Sequence, residues 1–123
     1  MLCNKGDCKV ICCNEQVIKI SRGQLSQIGC IMGGLEKYRK EIEILAKKIC
    51  ANFEGLFGLI GVDIVRENKT WLILEINPRF TSSYCGLDKS YNNETLDLIT
   101  SFYIEGKIGP FKPKLLKKIK YIF

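Results

Sequence analysis

The sequence predicts an α+β protein, an antiparallel sheet with helices packed on one of its faces. Short runs rich in β-branched and aromatic residues recur at positions 8–13, 16–20, 57–65 and 71–76. Two further stretches, after residues 35 and 92, carry apolar residues at helical spacing. The polar stretch between the last two strand-like runs, Arg66-Glu67-Asn68-Lys69-Thr70, is short enough to join antiparallel neighbours.

Taken in order, Asn4-Lys5-Gly6-Asp7 reads as a turn ahead of a first strand over 8–13, and 16–20 reads as a second. Residues 21–34 contain Gly23, Gly29, Gly33 and Gly34 without a sustained period and read as a connecting segment. From 35 to 53, Ile42, Leu45, Ala46, Ile49 and Phe53 fall on one helical face, with Glu43 and Lys47 spaced as an i, i+4 pair and Gly55 suited to the C-terminal cap. Runs 57–65 and 71–76 form the predicted central hairpin. A loop follows Pro78 as far as Gly86. A second helix is expected to begin at Asn92 or Asn93, to place Leu96, Ile99 and Tyr103 on one face, and to stop at Gly106.

A chain of 123 residues, 46% hydrophobic and 26% charged, has the composition of one soluble globular domain with a small core. No apolar run approaches the roughly 20 residues that span a bilayer, and the first residues lack a secretory signal pattern. A cytoplasmic location with no membrane partner is expected. The net charge of +6 is uneven, because six lysines (107, 112, 114, 117, 118 and 120) follow Glu105 and no acid does. Removing those six from the 19 basic residues leaves 13 against 13 acidic ones. Apolar residues interleave with the lysines of 107–123, so this basic segment is read as a docked edge strand whose lysines discourage aggregation, and nucleic acid is not expected as a partner.

The chain has no histidine, which excludes imidazole bases and Ser-His or Cys-His nucleophiles. Seven cysteines, at 3, 8, 12, 13, 30, 50 and 85, include no Cys-x-x-Cys pair and are read as reduced thiols rather than a soft-metal site. Chemistry is left to carboxylates, arginine, lysine or a bound ion.

Strand alternation puts Glu75 and Asn77 on one face of the second hairpin strand, and Asp63 shares a face with Gly61 and Val65 on the first. Whether the three meet depends on register. A three-residue loop of Asn68, Lys69 and Thr70 would set Asp63 opposite Glu75, whereas a two-residue Asn68-Lys69 loop would turn Asp63 to the wrong face. If they meet, two carboxylates and an amide oxygen suit Mg²⁺. The alternative is a hairpin face with ordinary surface acids. Pro78 ends the strand, and Arg79 just beyond it can hold a phosphoryl group or carboxylate through two parallel hydrogen bonds, or else make a surface ion pair with Asp88.

The pattern Gly58-Leu59-Ile60-Gly61-Val62-Asp63, followed by Glu75-Ile76-Asn77-Pro78-Arg79, resembles the end of the catalytic domain of ATP-grasp enzymes. The continuation through Phe80-Thr81-Ser82-Ser83-Tyr84-Cys85-Gly86-Leu87 is similar to the archaeal carboxylate-amine ligases that include tyramine-glutamate ligase. The match runs weakly from Cys8 through Asn14-Glu15-Gln16 and strongly from Gly55 to Leu87. The resemblance implies that Asp63, Glu75 and Asn77 hold Mg²⁺ (or Mn²⁺) and ATP as co-substrate, that Arg79 is catalytic, and that Ser83 and Tyr84 belong to a substrate loop. It implies ligation through an acyl phosphate. It further implies that residues 1–123 form a single partial domain, the C-terminal lobe: half of a split enzyme whose N-terminal half is a separate chain, a truncated remnant without activity, or a non-catalytic module reused for interaction or homo-oligomerisation.

Overall fold

A computed structural model describes residues 1–123 and confirms the α+β class, with antiparallel pairing throughout. The pairing is divided among three small sheets rather than gathered in one. Strand β1 (Leu2–Asn4) turns at Lys5-Gly6 into β2 (Asp7–Lys9), and β1 also pairs with β5 (Phe57–Leu59). A second sheet is ordered β3-β4-β8, from Glu15–Ser21, Gln24–Met32 and Ile119–Ile122. The third is the isolated hairpin of β6 (Gly61–Glu67) and β7 (Thr70–Asn77). The predicted strand over 57–65 is thus two strands in different sheets, broken at the buried Ile60.

Residues 21–34 are not a simple connection. Arg22 and Gly23 take left-handed φ values of 50° and 76°, which gives the two-residue turn whose twist suits a hairpin, and most of the segment is β4. The glycines that hid this strand have separate uses. A Cβ at Gly29 would lie 2.1 Å from the Tyr121 carbonyl oxygen, so glycine there lets β8 approach.

The strand predicted over 8–13 stops at Lys9, because residues 10–14 find side chains in place of a partner strand. Arg39 donates from Nη1 to the Val10 carbonyl (2.9 Å) and from Nη2 to that of Ile11 (3.1 Å). The Cys13 amide donates to Glu36 Oε1 (3.1 Å) and its carbonyl accepts from the Leu35 amide (2.9 Å). Glu36 and Arg39 form a bidentate pair at 2.6 and 2.8 Å, and the Tyr91 hydroxyl donates to the same carboxylate. Burial pushes up the Glu36 carboxyl, but the hydrogen bonds from Arg39 and Tyr91 outweigh it and hold the group below its ordinary value.

Glu36–Tyr38 form a 3₁₀ turn leading into α1 (Arg39–Asn52), close to the predicted helix. Its end is not capped by Gly55; the Phe53 amide closes the last turn on Ile49, and Gly55 lies beyond. Arg39, not Lys47, pairs with Glu43, at 3.7 Å. The loop after Pro78 contains a 3₁₀ segment, Ser82–Gly86, and a short helix α2 (Leu87–Ser90). Helix α3 (Asn93–Glu105) starts after Asn92 and ends at Gly106, which is left-handed at φ 71°, as its sequence predicts. Leu98, Ile99 and Phe102 of α3 are buried with Leu2, Ile11, Met32, Leu87 and Tyr91, each large side chain contributing about 1.5–3 kcal/mol.

The basic segment docks as expected. Residues 114–117 hydrogen-bond to Ser90 and Asn92, Lys9 reaches the carbonyls of Gly109 and Phe111, and β8 forms an edge strand on β4 with Lys120 exposed. No helix is long and apolar enough to cross a membrane.

Replacing Arg39 with methionine is expected to lower the unfolding free energy by about 3 kcal/mol in urea denaturation at neutral pH, because Glu36 and two backbone carbonyls lose their donor. The folded pKa of Glu36 lies below its ordinary 4.5. Its contribution is therefore complete above that value and is lost as pH falls through the folded pKa, so Glu36→Gln should flatten the decline in urea midpoint between about pH 5 and 3.

Candidate functional site

The β6–β7 turn overturns one expectation and preserves its consequence. Asn68 and Lys69 have φ values of 46° and 66°, so the loop has two residues, with Glu67 paired to Thr70. That register alone would put Asp63 opposite Leu74. Ile64 pairs with Ile73 but Asp63 pairs with Glu75, so Leu74 is an extra, unpaired residue, a β-bulge that shifts the ladder by one. Asp63 and Glu75 are brought face to face, and the next pair on that face is Gly61 with Asn77.

Asp63 is half-buried, and each of its oxygens accepts an amide. Gln16 Nε2 donates to Oδ1 (2.8 Å) from β3, and Asn77 Nδ2 donates to Oδ2 (3.2 Å). The Glu75 carboxylate is exposed directly across the strand pair. Arg79 leaves the sheet after Pro78 and donates to the carbonyl of Phe80 (3.2 Å); it does not pair with Asp88.

The following loop folds back because Gly61 has no side chain. A Cβ there would lie 2.4 Å from Thr81 Cγ2. Thr81 and Ser83 share a hydroxyl hydrogen bond (2.9 Å), and Tyr84 sets its ring edge-on to Phe80 at 4.9 Å. Asp63, Glu75, Asn77, Arg79, Ser83 and Tyr84 consequently line one cleft of about 1040 Å³ between the β3–β4 and β6–β7 hairpins and α1. Beside these polar groups the lining includes the apolar Ile18, Leu25, Val65 and Leu74.

The donor set fits a hard divalent cation that takes further ligands from water and phosphate. Asp63 and Glu75 supply two carboxylates and Asn77 an amide, while no three His, Cys, Asp or Glu side chains are grouped to hold a metal by themselves. The seven cysteines are free. Burial pushes the Cys8 and Cys13 thiols up to about 12 and that of Cys50 to about 11, so these three stay protonated at neutral pH and are poor nucleophiles.

A family model for the ATP-grasp domain matches residues 1–83. The chain belongs to the ATP-grasp family. Its function is accordingly of the ATP-binding, ligase type, and ATP-grasp enzymes generally use ATP with Mg²⁺. No curated protein and no solved structure matches the chain. The matched region includes both hairpins and runs through Ser83; Tyr84, α3 and the basic segment lie beyond it.

Gln16 is the site neighbour that sequence reasoning missed. Its signal is the alternation of β3, which puts Gln16, Ile18 and Ile20 on one face, but nothing in that pattern names Asp63 as the partner.

The bulge has a direct test. Deleting Leu74 should give a regular ladder that still sets Asp63 opposite Glu75, so cross-strand NOEs between these residues persist. Their loss would show that Leu74 is not the inserted residue.

Proposed function

We propose that this ATP-grasp chain is the Mg²⁺-ATP-binding part of a carboxylate-amine ligase acting on amino-acid substrates, of the kind that residues 75–87 resemble among archaeal ligases such as tyramine-glutamate ligase. The observation that carries the reading is the facing of Asp63 and Glu75, with Asn77 beside them, in the lining of one cleft. Asp63, Glu75 and Asn77 would hold Mg²⁺ or Mn²⁺, which when bound neutralises phosphate charge during transfer.

Arg79 takes no acidic partner in the ion pairs of the structure, so its guanidinium is available as the catalytic group that grips the γ-phosphoryl or the acceptor carboxylate. A carboxylate oxygen attacks the γ-phosphorus and ADP leaves. The amine then attacks the acyl carbon, releasing phosphate and a proton. Ser83 and Tyr84 orient the substrate beside this path, and the protein's contribution is positioning and electrostatics, which explains how the chain manages without histidine. The remaining cover over the nucleotide would come from outside residues 1–123.

A second reading, a non-catalytic interaction module, is favoured by apolar side chains lining the cleft, with Leu25 and Leu74 exposed to 73% and 68%. A dimer that buries the Asp63 face and is dispersed by Leu25→Asp in sedimentation would support it.

Isothermal titration with Mn²⁺-ATP discriminates the two. Asp63→Asn and Glu75→Gln should each weaken binding roughly tenfold or more, and the chain by itself should show no ligase turnover. Equal affinity in all three proteins would sink the ligase reading, and robust ATP hydrolysis by the purified chain would contradict the need for cover from outside residues 1–123.

A further inference from the structure

The β6–β7 hairpin is built like an arch. It forms no backbone ladder with a third strand, and the cleft of about 1040 Å³ extends beneath it, lined by Leu35, Tyr38, Ile42 and Leu45 on one side and by Val62 and Ile64 on the other. Its root is fixed where Gly61 meets Thr81. Near its tip, the Glu41 carboxylate of α1 accepts a hydrogen bond from Trp71 Nε1 (2.8 Å) and pairs with Arg66 Nη2 (3.2 Å). The Arg66 guanidinium lies 4.4 Å from the Tyr38 ring centroid and 5.5 Å from that of Trp71, and the two rings meet edge-on at 5.4 Å.

We infer that Glu41 is a positioning residue, a clasp that holds the metal-binding hairpin at a fixed height over the cleft so that Asp63 stays within reach of Gln16. Arg66 and Trp71 are directly paired across the hairpin and project from the face opposite Asp63 and Glu75. The clasp therefore grips the hairpin from behind and leaves the carboxylate face open. It acts about 10 Å along the strand from Asp63, and with no third strand in the ladder and a hollow beneath, the strand pair is the lever that transmits its position. Releasing the clasp frees the tip to swing, spreading the distances among Asp63, Gln16 and any bound cation. The consequence for cation binding rests on the function proposed above; the restraint on the hairpin does not.

Trp71 is the only tryptophan in the chain, so its emission reports the clasp directly. In Glu41→Ala, emission should shift to the red, amide exchange should accelerate over residues 61–77, and the Mn²⁺ dissociation constant, measured by calorimetry with the metal alone, should rise roughly fivefold. The melting temperature should stay within about 3 °C, because the clasp is an exposed pair. Glu41→Gln retains an acceptor for Trp71 Nε1 and should restore the emission and most of the Mn²⁺ affinity. Glu41→Ala with unchanged emission, exchange and affinity would overturn the inference. So would a loss of affinity that only follows a fall in melting temperature and is not rescued by glutamine. Absence of Mn²⁺ binding in the wild-type chain would overturn the site assignment instead, while emission and exchange still decide whether Glu41 holds the hairpin.

Discussion

The Glu36–Arg39 pair is the constraint on which the arrangement of this molecule depends. A five-residue stretch after β2 has buried members, Val10, Ile11 and Cys13, but no ladder partner, and unpaired backbone groups there would be destabilising. One guanidinium and one carboxylate meet that need, and Tyr91 adds a donor from the far side of the core. Three parts of the chain are thereby locked together: the approach to β3, the start of α1 and the segment ahead of α3. A bidentate arginine suits this position because its fork serves a carboxylate and two carbonyls at once, which a lysine ammonium cannot match.

Both walls of the cleft inherit their placement from that lock. Gln16 of β3 lies three residues after Cys13, and Glu41 of α1 lies two after Arg39, so the side chains that meet the β6–β7 hairpin from either side are set by one partly buried pair. The hairpin itself contributes the carboxylates. Its two neighbours contribute their aim. The excess positive charge is kept elsewhere, on exposed lysines of the docked segment that ends in β8, and the facing acids Asp63 and Glu75 sit on the hairpin.

Much of this was legible in the sequence where local rules decide. The apolar period of α1, the Asn92 and Gly106 boundaries of α3 and the hairpin around Asp63 and Glu75 all follow from spacing and from residues with restricted backbones. The misreadings arose where a local signal had two physical meanings. Gly29 in β4 makes room for a neighbouring strand, yet in the sequence it looks like a breaker. Asn68 and Lys69 adopt the left-handed pair of a two-residue turn, and parity alone then puts Asp63 on the wrong face; only a bulge, which leaves no mark in composition, restores it. The strand expected over 8–13 failed because arginine replaced the partner strand, a long-range substitution that no window of residues contains.

The sheet formed by β3, β4 and β8 carries a consequence for the order in which the molecule assembles. Gly29 pairs with Ile122, and the Phe123 amide reaches the Ile28 carbonyl, so this wall is completed by a contact that encloses nearly all of the intervening chain. Closure of so long a loop is entropically unfavourable until the intervening elements have condensed, and contacts of this kind slow folding. The pairing of Asp63 with Glu75 spans only a hairpin, which forms on the microsecond scale. The carboxylate pair can thus form early while the β8 edge is sealed late, so Asp63 and Glu75 face each other before the cleft around them is finished.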